Sequence, residues 1–138
     1  MSCRSPRLYF LLAFVLFFKI ASAQTDTTFW FAAPDLQEAH GDRPIFLRFS
    51  TSNTAASITI SQPANPGFTP ISIDIPANSS NSVNLTTVIT QIENATPNTV
   101  SNKGLLIRSN SPISCYYDIA NGLNGDIYAL KGNNALGT

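Results

Sequence analysis

From residue 45 onward the apolar side chains of this chain fall, segment after segment, on every second position. Ile45, Leu47 and Phe49 share one side of an extended segment, with Phe46, Arg48 and Ser50 on the other. Ile58 and Ile60 alternate with Ser57, Thr59 and Ser61, and Ile71, Ile73 and Ile75 line one face. Ile113, Cys115, Tyr117 and Ile119 alternate with Ser114, Tyr116 and Asp118. Successive side chains of a strand point to opposite faces, so this period is that of half-buried β-strands and fits no face of a helix. Further strands are expected at 28–33, from Val83 with Leu85, at 105–108 and at 126–130. Turn formers stand between them: Ser52-Asn53-Thr54, Pro63 to Pro70, Pro76 to Asn81, Asn110-Ser111-Pro112 and Asn121 to Gly125. The segments at 71–75 and 83–85 read as a hairpin with a longer loop. One helical turn is expected at 88–93, where Val88, Ile89 and Ile92 share a face, and 94–103 reads as irregular.

About eight short strands with one-sided apolar faces predict an all-β fold, an antiparallel β-sandwich of Ig-like or jelly-roll type with two sheets face to face. Abundant Ser, Thr and Asn point the same way, because short polar side chains compete with helical backbone hydrogen bonds. Residues 132–138 read as a loop leading into a further element. The sandwich is therefore expected to be truncated at its C-terminus, with 24–138 the N-terminal module of a longer protein and an edge strand missing.

The first 23 residues read differently. Arg4 and Arg7 precede an unbroken apolar run from Leu8 to Phe18, and Ala21-Ser22-Ala23 fits a small-x-small cleavage pattern. A signal peptide needs an apolar core of roughly 7–15 residues. A membrane-spanning helix needs about 20, and Lys19 interrupts first. Residues 1–23 are thus expected to be a signal peptide cleaved near Ala23-Gln24, leaving a secreted or outer-surface domain without a transmembrane segment. Cleavage removes three of the eight basic residues and none of the eight acidic ones, so the mature chain carries a net −3. That balance speaks against nucleic acid as a partner, since phosphate binding needs clustered Lys and Arg. One cysteine remains, Cys115, which excludes an internal disulfide. Its place in an alternating strand predicts a small buried hydrophobe.

The search for chemistry turns up one polar loop, where His40 stands among Asp35, Glu38 and Asp42. Hard divalent cations take oxygen ligands, which makes Asp35, Glu38 and Asp42 the candidate metal ligands and calcium the candidate ion. Three carboxylates over eight residues are sparser than a dedicated calcium loop, so a solvated charged turn is the plainer reading. No Gly-x-Ser-x-Gly elbow, zinc-ligand spacing or glycine-rich phosphate loop occurs, and the domain is read as a non-enzyme that needs no cofactor. Among the aromatics, Trp30 points opposite to Phe29 and Phe31. Core packing is expected on both faces of that strand, with an exposed platform for sugar or protein as the alternative. Tyr116 faces away from Tyr117, toward the surface.

The stretch Gly104-Leu105-Leu106-Ile107-Arg108-Ser109-Asn110-Ser111-Pro112-Ile113-Ser114-Cys115-Tyr116-Tyr117 resembles the strand–turn–strand of the IgG Fc-binding protein N-terminal domain family. Asp126-Ile127-Tyr128-Ala129-Leu130 with Ala135-Leu136-Gly137-Thr138, and the opening Thr28-Phe29-Trp30-Phe31-Ala32-Ala33, are similar to its other strands. The likeness spans roughly residues 27 to 138. It implies the leading module of a large exported surface protein of the Bacteroidetes type, followed by downstream domains of the same polypeptide. It carries over no immunoglobulin contact. The functional expectation is an adhesion or binding module for an extracellular protein or glycan. The alternatives are a structural spacer and, behind it, a secreted metal-dependent hydrolase centred on His40.

Overall fold

The computed structural model describes residues 25–36, 43–122 and 125–133. The segment expected to be a signal peptide lies outside them. The described residues form an all-β fold. Its strands are β1 (Asp26–Phe31), β2 (Ile45–Thr51), β3 (Ala56–Ser61), β4 (Ile71–Ile75), β5 (Ser80–Asn84), β6 (Leu105–Ile119) and β7 (Asp126–Ala129). All pair antiparallel in a single sheet. No helix among the described residues is long and apolar enough to cross a membrane.

The 15-residue strand β6 organises the sheet. Leu106, Ile107 and Arg108 face β1 across one edge and β3 across the other, while Tyr116 to Ile119 face β2 and β7. Ile113 pairs with both Asp26 and Thr51, so β1 and β2 lie on opposite edges. It follows that β2 and β3 succeed one another along the same edge of β6, and β4 and β5 succeed one another outside them. One half of the sheet is β1-β6-β3-β4 and the other is β7-β6-β2-β5. Inward residues of both halves, Phe29, Ile58, Ile60 and Ile107 from the first and Leu47, Phe49, Cys115 and Tyr117 from the second, belong to one buried cluster. A sheet that buries the same face in both halves against itself must fold across its strands, and corners of that kind form at bulges and bends.

The crease runs through three breaks at one level: 52–55, 76–79 and 110–112. Thr51 pins it. The buried Thr51 hydroxyl donates to the Pro76 carbonyl at 2.6 Å and accepts the Ser79 N–H at 3.1 Å. Asn78 takes a left-handed φ of 53° there, a conformation asparagine tolerates. On β6 the Asn110 side chain accepts the Ser57 N–H at 2.8 Å, replacing a backbone acceptor where the ladder lapses. Pro112, which has no N–H to donate, falls in the same gap.

This arrangement corrects two sequence expectations. Asn110-Ser111-Pro112 does not reverse the chain; β6 runs through it, because ladders on both sides of the break override local turn propensity. The segments at 71–75 and 80–84 form no hairpin with each other, since each pairs with a different earlier strand. The expected sandwich-like layering is present, its two layers being halves of one folded sheet. The helical turn is present as a 3-10 turn (Thr86–Val88) running into α1 (Ile89–Ile92), which buries Ile89 and Ile92. Gln62, itself buried, ties the β3–β4 loop to this end by donating to the Gln91 and Lys103 carbonyls, both at 2.9 Å.

Candidate functional site

The outward face of the β7-β6-β2-β5 half follows from the register. Asn84, Phe46, Asp118 and Ile127 stand side by side in one row across four strands. Ser82, Arg48, Tyr116 and Ala129 form the next row, and Ser80, Ser50 and Ser114 the third. Alternation places these residues outward by the same rule that sends Ile45, Leu47 and Phe49 inward. A solvated face needs only polar groups. This one also carries the half-buried rings of Phe46 and Tyr116 and the side chain of Ile127, which is 56% exposed.

Arg48 lies at its centre. Its Nε donates to Oδ2 of the largely buried Asp118. The guanidinium carbon sits 5.4 Å from the centroid of the Phe46 ring, within the range of a cation–π contact. These two contacts orient a side chain that remains half-exposed. A depression opens on each side. One, about 370 Å³, is lined by Arg48 with Ser50, Ser80, Asn81, Ser82 and Tyr116. The other, about 420 Å³, is lined by Arg48 with Asp118, Asn121, Asp126 and Ile127. Both are open surface hollows rather than enclosed cavities. The groups gathered here donate, accept and stack.

The residues singled out in the sequence lie elsewhere. Asp35 is exposed, beyond the bridge between Ala33 and Glu93. Glu38, His40 and Asp42 fall outside the described residues, and so does the calcium site they would form with Asp35. Among the described residues no group of three or more His, Cys, Asp and Glu is placed to hold a metal. The neighbouring Leu36 N–H donates to Glu93 Oε1 at 3.2 Å. Lys103 Nζ donates to the Thr90 and Glu93 carbonyls, both at 2.9 Å. Lys103 and Glu93 also border a polar hollow of about 270 Å³ with Thr96 and Ser101. Trp30, expected in core, is 58% exposed, while Phe29 on the opposite side is fully buried.

Cys115 is buried, as its alternating strand predicted. Burial pushes its thiol well above the ordinary range, which leaves it inert as a nucleophile at neutral pH. Tyr117 is raised as well, first by burial, then by the negative charge of Glu93 and by Tyr128. Its ring packs 4.6 Å from Phe31 and 6.4 Å from Tyr128.

The Arg48–Asp118 pair did not stand out in the sequence. Alternation marks each of the two as outward-facing, yet 70 residues separate them, and only the β2–β6 register makes them neighbours.

No protein-family model matches the chain, and no curated protein matches it significantly. A crystal structure of Thermotoga maritima 1070 is similar at 12% identity with a TM-score of 0.43, over 77% of this chain and 91% of that one.

Proposed function

We propose that this domain is an exported, non-enzymatic binding module, the leading part of a larger surface protein, and that it engages an extracellular partner through the outward face of the β7-β6-β2-β5 half. The observation that carries the reading is the Arg48–Asp118 pair laid on Phe46, flanked by two depressions and bordered by Tyr116 and Ile127. Oriented charge beside partly exposed rings is what partner-binding surfaces collect. The leader-like residues 1–23 support export, and the resemblance to the IgG Fc-binding protein N-terminal domain family supports surface display.

The test is an array of glycans and extracellular proteins probed with the secreted chain, wild type against Arg48→Ala and Tyr116→Ala. Retention by wild type and loss in both variants is the expected result. Binding that neither variant weakens removes this face from consideration, and silence across both arrays favours the structural spacer.

A further inference from the structure

We infer that the ligand of this face is a neutral oligosaccharide, lying across Arg48 so that the Arg48–Asp118 pair reads neighbouring hydroxyls while sugar rings rest on the apolar surface around Tyr116 and Ile127. The inference rests on the binding-face reading above and adds the class of ligand.

Charge comes first. The positive charge of Arg48 is already matched by Asp118, and Asp126 borders the same depression. Among the described residues, Arg48 supplies the only Lys or Arg side chain lining either hollow. A sulfate, phosphate or uronate would meet Asp118 and Asp126 against a single arginine in one hollow and, in the other, an arginine whose charge Asp118 already matches, on a mature chain that is itself acidic, and like charge disfavours binding. An uncharged ligand meets no such penalty. Hydrogen bonding comes second. A guanidinium fixed side-on by a carboxylate places donors and acceptors next to one another. Adjacent sugar hydroxyls, each both donor and acceptor, match that edge without a net charge. Serine hydroxyls and the Asn81 amide continue the pattern into the first hollow.

Size and composition complete the argument. Hollows on both sides of one arginine suit a ligand longer than a single ring. Side chains such as Ser and Asp are depleted where proteins bury surface against each other, whereas here they line the hollows. The apolar part is small, as expected for contact with the C–H faces of pyranose rings. These features favour a saccharide over a protein partner.

The experiment is native affinity electrophoresis of the secreted chain through gels containing neutral polysaccharides (β-glucan, mannan, galactan) and, separately, polygalacturonate and chondroitin sulfate, with the protein array run alongside. Retardation in at least one neutral gel, unchanged at high salt, is expected. Arg48→Ala and Tyr116→Ala should each weaken it by about tenfold or more, while Arg108→Ala on the other half's outward face leaves it unaltered. Thermal melting of each variant verifies folding, and Arg48→Gln and Tyr116→Leu stand in for any that fails to fold. Retardation only in the anionic gels, abolished by salt and by Arg48→Ala, overturns the neutral-sugar inference but keeps the binding face. Capture only of a protein, lost in the same variants, does the same. Retardation in neutral gels that no variant on this face weakens overturns both.

Discussion

Tyr117 carries a hydroxyl into the centre of the core, where no hydrogen-bond partner meets it among the described residues. An unpaired buried hydroxyl costs roughly 1–3 kcal/mol, so Tyr117→Phe should raise stability by about 1 kcal/mol in urea unfolding. Titration adds a second signature. Cys115 and Tyr117 are both raised above their ordinary values of 9.0 and 10.0. In the unfolded chain the thiol and then the phenol lose protons as pH rises through those values, while the folded chain retains them. The unfolded state then binds fewer protons, and stability falls with rising pH by about 1.4 kcal/mol per pH unit for each group. Stability should hold below pH 9, decline above it and decline faster above pH 10; Tyr117→Phe should remove the second part of that slope. An unchanged slope in the variant would contradict the assignment. The burial of Cys115 was legible from its alternating strand. The orphaned hydroxyl was not, because alternation says that a side chain goes inward and nothing about what its polar end meets.

Among the elements, the crease sets the shape. Thr51 holds it with one hydroxyl that donates to Pro76 and accepts from Ser79. Thr51→Val keeps the volume and removes the hydroxyl, so that the carbonyl of exposed Pro76 and the N–H of half-buried Ser79 lose their partner. The expected loss is about 1 kcal/mol, read as a lower urea midpoint; a midpoint within error of wild type would show that the crease does not depend on this bond. Close approach also fixes the last described segment. A Cβ on Gly132 would stand 2.1 Å from the Asp26 Cβ, so only glycine lets the chain beyond β7 pass the start of β1 and bridge to Phe29. Five of the strand positions could be placed closely from period-2 patterning and punctuation. Asn110-Ser111-Pro112 misled because Asn, Ser and Pro signal a chain reversal and a strand crease with the same local chemistry. Telling the two apart requires the partners on either side, Thr51 and Ser57, which lie far away in sequence.

Across the whole molecule both halves share β6 and one core, so neither half can melt alone. Near-UV signal from the buried aromatics and far-UV signal from the strands should therefore lose amplitude in one coincident transition. Two separated transitions would show that the halves are independent layers. With Cys115 the one cysteine after residue 23, a reducing agent should not move that transition. The sequence alone determined the all-β class, the inward faces, the burial of Cys115 and the net acidity of residues 24–138, since each follows from local pattern or composition. Tertiary structure decided that the layers are one folded sheet, that Trp30 lies outside while Phe29 fills the core, and that Arg48 meets Asp118 beneath two hollows. Those facts depend on register and on which distant strands pair, and period-2 alternation is compatible with many pairings. Patterning assigns each residue a side of its strand; only the fold assigns it a neighbour.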